Sequence, residues 1–178
     1  MPRLFVGFEV PEEIGERIAL LRGGLLGARW IDAENYHVTL RFIGDIDERS
    51  ADEIADYLVQ VRRRSFAVEI NGIGAFGGRQ PHSVYAQIQP TPALMELQAE
   101  LERMLQRLGH PPEGRKFTPH ITIARTKGAT GRAVAQWLDL RGGFRAGPFQ
   151  VDRFVLFSSK ASTGGGPYLV EEAYALAL

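Results

Sequence analysis

Apolar residues along this chain recur with two periods. In some segments they alternate with polar ones, as in a strand with one buried face; in others they fall three and four apart, as in a helix lying on a core. Residues 4–10 read as a strand that breaks at Pro11, a residue suited to the first turn of a helix. Ile14, Ile18, Leu21 and Leu25 follow at helical spacing over residues 12–26, and Gly23, Gly24 and Gly27 fray the end. Trp30 and Ile31 form a short strand, and residues 36–43 a longer one that stops at Gly44-Asp45. A second helix, capped by Asp47 or Ser50, presents Ile54, Leu58 and Val61 on one face. Residues 66–70 and 83–88 read as strands separated by the glycine-rich stretch 72–78. The clearest helix spans residues 91–108. Thr91 caps it, Pro92 opens it, Leu94, Leu97, Leu101, Leu105 and Leu108 form its stripe, and Gly109 ends it.

The second half repeats the theme. It has a strand over 117–124, a short helix over 130–138, a long strand over 149–157 and a last strand over 168–176 after Gly164-Gly165-Gly166-Pro167. Each half supplies a strand, a helix and a further strand, as a duplication would. Strands that alternate rather than run wholly apolar predict antiparallel sheets with helices outside, an α+β fold. No low-complexity linker divides the halves, so residues 1–178 are expected to form a single domain around one sizeable core.

Composition narrows the function classes. Twenty-one Lys and Arg balance twenty-one Asp and Glu, so no global charge exists to hold a long nucleic acid by counterion release. A nucleic-acid partner is expected to be gripped locally. The chain has no cysteine, which excludes disulfides, thiolate metal sites and cysteine nucleophiles and fits a cytoplasmic location. Met1-Pro2-Arg3 runs into a strand with Glu9, Glu12 and Glu13 close behind, so neither a signal peptide nor a membrane span is expected.

One pattern carries chemistry. His37-Val38-Thr39-Leu40 and His120-Ile121-Thr122-Ile123 both read His, apolar, Thr, apolar. On a strand, each His shares a face with its Thr while the apolar pair turns to the other side. Two such matches are expected by chance in roughly one chain in a thousand. Paired imidazoles can serve as general base and general acid, and the hydroxyls can donate to a charged oxygen between the strands. No third ligand accompanies the histidines at metal spacing, so no metal and no cofactor are expected. Such a site suits phosphoryl chemistry, where positioning and charge stabilisation supply most of the rate.

Charge points the same way. Arg115, Lys116, Arg125, Lys127 and Arg132 fall in a stretch without Asp or Glu, consistent with an anionic substrate, although such runs are more often solvated surface. Ordinary pleating puts Arg41 on the face of His37 and Thr39. Arg125 has the wrong parity to His120 and reaches the site only if its strand bends or ends. Phe42 shares the parity of Val38 and Leu40, which points to the core, yet its ring is suited to stack on a nucleobase. Tyr168 follows the glycine turn and is a candidate for lining the site. His82 and His110, beside prolines, read as surface residues. Gly164-Gly165-Gly166 reads as a hairpin connection rather than a phosphate cradle, and Arg62-Arg63-Arg64 suits a helix end.

Trp30, the block Asn35-Tyr36-His37-Val38-Thr39-Leu40-Arg41-Phe42-Ile43-Gly44 and the block Phe117-Thr118-Pro119-His120-Ile121-Thr122-Ile123-Ala124-Arg125 resemble the two His-x-Thr-x blocks of the 2H phosphoesterases. They look most like the RNA 2′,3′-cyclic phosphodiesterase branch, historically called 2′-5′ RNA ligases and LigT-like. Leu4-Phe5-Val6-Gly7-Phe8 and the segments Leu156-Phe157-Ser158-Ser159 and Gly166-Pro167-Tyr168 extend the likeness over nearly the whole chain.

The resemblance implies two interwoven lobes with pseudo-two-fold symmetry, one motif strand in each, and a central cleft. It implies opening of 2′,3′-cyclic phosphate RNA ends to 2′-phosphomonoesters without a metal. His37 would protonate the departing 3′ oxygen and His120 would activate water. Thr39 and Thr122 would hold the non-bridging oxygens, and Arg125 would neutralise charge; Phe42 and Tyr168 complete the candidate substrate contacts. The expected partners are RNA ends or oligonucleotides with a 2′,3′-cyclic phosphate, or small cyclic nucleotides, taken up by a monomer. Two alternatives stand beside this reading: a 2′-5′ RNA ligase running the reverse reaction, and a non-catalytic nucleotide-binding module.

Overall fold

Capping residues and apolar stripes set four α-helices in the structure, a computed structural model that describes residues 2–159 and 166–178. Helix α1 (Glu12–Ala19) buries Ile14 and Ile18. Helix α2 (Glu48–Leu58) is capped by Asp47 rather than Ser50, the Ser50 N–H donating to the Asp47 carboxylate. Helix α3 (Pro92–Arg107) starts where the Leu94 N–H donates to the Thr91 hydroxyl, and it buries Leu94, Leu97, Leu101, Met104 and Leu105. Helix α4 (Gly131–Arg141), capped by Thr130, runs three residues beyond the expected end. Helix α1 instead stops well short of residue 26. Gly23 and Gly24 take φ of 95° and 72°, a left-handed conformation that ends a helix. Leu25 remains buried on the loop beyond, so the apolar period outlasts the helix.

The strands are β1 (Arg3–Glu9), β2 (Arg29–Trp30), β3 (His37–Asp45), β4 (Phe66–Phe76), β5 (Ser83–Ile88), β6 (His120–Arg125), β7 (Arg145–Val151), β8 (Arg153–Ser159) and β9 (Tyr168–Ala175). They form two sheets in the orders β3-β1-β8-β9 and β2-β6-β5-β4-β7, and every neighbouring pair is antiparallel. The fold is α+β, as expected. One apolar cluster runs through both sheets and all four helices, from Val6, Val38 and Ile18 to Leu101, Ile121 and Trp137. Among the described residues no helix is long and apolar enough to cross a membrane.

Three expectations are corrected. The glycine-rich stretch 72–78 is mostly strand: β4 continues to Phe76, absorbing a register shift between Ile70 and Ile73 where Gly72 has φ 92°. At Gly74 a Cβ would come within 2.6 Å of the Tyr85 hydroxyl, so the missing side chain lets the Tyr85 ring lie across β4. The long strand over 149–157 is two strands in different sheets, β7 beside β4 and β8 beside β1, divided at Asp152. Burial explains the division. The edge strand β7 mixes buried with exposed positions, whereas β8 lies inside its sheet and residues 154–157 are all buried. Lobes therefore do not coincide with halves of the chain, because β8 and β9 cross back to join β1 and β3. Each sheet still pairs its motif strand with an earlier strand separated from it by a helix, β1–α1–β3 in one and β5–α3–β6 in the other. Of the Gly164-Gly165-Gly166 turn, Gly164 and Gly165 lie outside the described residues.

Candidate active site

The motif strands β3 and β6 approach each other across a cleft, and a cavity of about 590 Å³ is lined from both. Pleating directs His37 and Thr39 of β3 and His120 and Thr122 of β6 into it, half-buried, while Val38, Leu40, Ile121 and Ile123 face the core. His37 Nδ1 lies 2.9 Å from the Asn35 carbonyl oxygen, and His120 Nδ1 lies 2.6 Å from that of Thr118. A carbonyl can only accept, so in each neutral ring Nδ1 carries the proton and Nε2 is left as the acid/base atom. His37 Nε2 lies 3.1 Å from the Thr39 hydroxyl.

Both motifs then slip by one residue. Across β1 and β3, Thr39 opposes Gly7 and Arg41 opposes Val6, leaving Leu40 as an extra residue. Across β5 and β6, Thr122 opposes Tyr85 and Ala124 opposes Val84, leaving Ile123 extra. A bulge of this kind reverses the faces beyond it. Arg41, expected on the site face, is turned away and buried. Its guanidinium pairs with the Glu102 carboxylate of α3 and donates to the Phe42 and Pro111 carbonyls. Phe42, which parity placed in the core, is turned into the cavity and is 49% exposed. Arg125, which parity turned away, enters the same cavity.

Aromatic rings pack around each imidazole. Phe5 and Tyr168 have centroids 4.9 and 4.7 Å from the His37 ring, Tyr168 edge-on, and Phe157 follows at 5.8 Å. Phe76 stands edge-on to His120 at 4.8 Å, with Tyr85 at 5.2 Å. Tyr168 is thus placed in the cavity as a candidate, whereas Phe5, Phe76 and Tyr85 were not singled out from the sequence. Gly7 was the available signal for Phe5: a Cβ there would meet the Val38 carbonyl oxygen at 2.3 Å, and such a glycine marks a close strand approach beside its neighbours. His82 is exposed, as expected, yet it also lines the cavity, its ring stacked on Phe76 at 6.4 Å. Its loop position gave no sign of this.

Enclosure sets the electrostatics. Burial lowers the pKa of His37 to about 4. The hydrogen bond to the Asn35 carbonyl opposes the drop, while the charges of His120 and Arg125 add to it. Burial also lowers His120, against its hydrogen bond to Thr118 and with help from Arg125. Arg3, Arg115, Lys116 and Arg125 supply the charge of the lining, which among the described residues includes no carboxylate. Among the described residues no group of three or more His, Asp or Glu could hold a metal ion. Of the remaining sequence candidates, Arg63 is paired with Glu96 and Glu100 of α3, and Arg132 and His110 lie outside the cavity lining.

Over residues 10–163 the chain matches the family model of the 2′-5′ RNA ligase superfamily. A Thermotoga maritima protein named RNA 2′,3′-cyclic phosphodiesterase is 34% identical over 178 residues, covering 94% of this chain and 92% of the relative. A protein of the same name from Aeropyrum pernix is 33% identical over 159 residues, covering 85% and 90%. The crystal structure of E. coli LigT complexed with 3′-AMP has a TM-score of 0.81 to this chain at 24% identity, with both chains covered in full. That likeness concerns the fold: two antiparallel sheets with helices outside, facing each other across a cleft. Motif blocks, fold and a family match over most of the chain agree, and the chain belongs to the 2′-5′ RNA ligase superfamily of 2H phosphoesterases.

Proposed function

We propose that the protein is an RNA 2′,3′-cyclic phosphodiesterase that opens cyclic ends to 2′-phosphomonoesters without a metal. One observation carries this reading. Two histidines, each with Nδ1 held by a backbone carbonyl and Nε2 left for proton exchange, share one cavity with a cationic lining. The names of the relatives support the substrate.

In this mechanism His120 Nε2 takes a proton from water as the water oxygen bonds to phosphorus. The bond from phosphorus to the 3′ oxygen breaks, and that oxygen takes the proton from His37 Nε2. One imidazole gains a proton and the other loses one, and exchange with solvent restores both. The Thr39 and Thr122 hydroxyls donate to the non-bridging oxygens, and the Arg125 guanidinium neutralises charge gathering on them. Phe42 and Tyr168 contact the nucleoside. The lowered pKa of His120 keeps it neutral and ready to act as base. His37 is neutral in the unoccupied cleft, and the anionic phosphate supplies the field that favours its imidazolium. The assignment of donor and base to these two positions follows the family resemblance.

Incubation with an oligonucleotide ending in a 2′,3′-cyclic phosphate, in excess chelator, tests the reading. Phosphorus NMR is expected to show the 2′-phosphate as sole product. Activity lost to chelator and regained with zinc or manganese would overturn the metal-free mechanism, and a 3′-phosphate would reassign the leaving oxygen.

A further inference from the structure

Beyond the cavity, the cleft continues into a second groove of about 530 Å³ at the edge of the larger sheet. Strand register builds it. Ser83, Arg125 and Arg29 oppose one another across β5, β6 and β2, so they form a row that leads from the cavity to the edge. Cross-strand partners share a face about 4.8 Å apart, so Arg29 stands one strand beyond Arg125 on the same surface. The loop after β6 adds Lys127, and His82 and Arg125 line both spaces, which makes them continuous. The wall is backbone: a Cβ on Gly27 would meet the Gly128 carbonyl oxygen at 2.1 Å, so two glycine loops press together there. Thr126 anchors the turn, its hydroxyl donating to the Pro81 carbonyl and its N–H to that of His82.

We propose that this groove receives the phosphate immediately upstream of the reacting end, so that the protein grips its RNA at two successive phosphates. The inference rests on the reaction proposed above. A terminal cyclic phosphate held by the threonines and Arg125 has one residual chain, the 5′-ward nucleotides, that must leave the cleft. The groove opens off the cavity at Arg125, the residue placed against that phosphate. The groove lining includes no carboxylate among the described residues and presents Arg29, Arg125 and Lys127 beside a side-chain-free wall. A wall of that kind lets a phosphodiester backbone approach closely.

The test compares wild type with the double variant Arg29→Gln/Lys127→Gln on two substrates: a nucleoside 2′,3′-cyclic phosphate and a short oligonucleotide with the same cyclic end. The variant is expected to keep kcat/KM on the mononucleotide within about twofold, which also shows that it is folded. On the oligonucleotide KM is expected to rise roughly tenfold. The slope of log kcat/KM against log salt should flatten by about 0.7 for each phosphate that the variant no longer neutralises. Equal loss on both substrates, or no loss on either, would overturn the inference. Should wild type hydrolyse neither substrate, the proposed reaction fails and the groove is judged by fluorescence anisotropy of a labelled oligonucleotide. Weaker binding by the variant then supports the groove as an RNA site, and equal binding overturns it.

Discussion

Phe42 occupies in β3 the place that Arg125 occupies in β6. Each follows its motif histidine by five residues, and each is turned into the cleft by an unpaired residue in the ladder, Leu40 or Ile123. Matched backbones thus present an aromatic arm on one side and a cationic arm on the other. The two arms suit different parts of one ligand, a base and a phosphate.

Replacing each arm by Ala should separate those tasks. Phe42→Ala is expected to raise KM roughly tenfold and leave kcat nearly unchanged, since stacking on one base contributes about 1–3 kcal/mol. Arg125→Ala is expected to lower kcat about a hundredfold, the scale for removing one group that stabilises transition-state charge. Steady-state kinetics on a cyclic-ended oligonucleotide decides it. Equal effects of the two substitutions on KM alone would mean that both arms only bind.

How far the site was legible depends on which physical fact each residue rests upon. The histidines and threonines follow from pleating within one strand, and that period is written in the sequence. The places of Arg41, Phe42 and Arg125 depend on pairing with another strand. Nothing in Leu40-Arg41 or Ile123-Ala124 signals an extra residue, because the bulge exists only against β1 or β5. The helices were legible at their starts, where Asp47, Thr91 and Thr130 cap them, and less so at their ends. The break at Asp152 was hidden for a similar reason: residues 149–157 are apolar enough to read as one strand, and the different partners that divide it lie elsewhere in the chain.

Arg41 supplies a second prediction. Its guanidinium, 7% exposed, joins β3 to Glu102 of α3 and to the Pro111 carbonyl on the segment that follows α3. Burial acts to raise the Glu102 carboxyl, and the Arg41 hydrogen bond and charge, together with hydrogen bonds from the Glu113 N–H and Gln106, outweigh it and hold the pKa low. Arg41→Ala leaves a carboxylate and two carbonyls without that partner, and about 3 kcal/mol of stability should be lost in a denaturant titration. Activity per folded molecule should stay within a fewfold of wild type at low temperature. A stable variant that is catalytically dead would return Arg41 to the site.

The histidines should behave in the opposite way. His37→Ala and His120→Ala are each expected to cost about two to four orders of magnitude in kcat, with melting temperatures close to wild type. The double variant should lose far less than the product of the single losses, because an acid and a base acting in one step are not additive. Activity lost only through unfolding would make that histidine a packing residue between its aromatic neighbours.

The pH dependence follows from the enclosure of the two rings. In the unoccupied protein burial lowers both imidazoles, His37 to about 4, and Arg125 adds to the effect. The bell for kcat/KM, which reports the unliganded protein, should therefore peak on the acid side of the ordinary histidine value of about 6.5. A bound cyclic phosphate brings a negative charge between the rings and favours the imidazolium, so the bell for kcat should lie to the alkaline side of that for kcat/KM. Removing a cation acts in the same direction: Arg125→Ala should move the kcat/KM optimum toward alkaline pH as well as slow the reaction. The limbs belong to the pair, since each ring feels the other, and single-histidine variants are needed to divide them. Rates measured from about pH 4 to 9 on one oligonucleotide, with wild type and Arg125→Ala side by side, supply both comparisons. A flat profile would exclude two histidines exchanging protons in one turnover. An unmoved optimum in Arg125→Ala would show that its charge is not felt at the rings, and an acid shift would contradict the predicted sign.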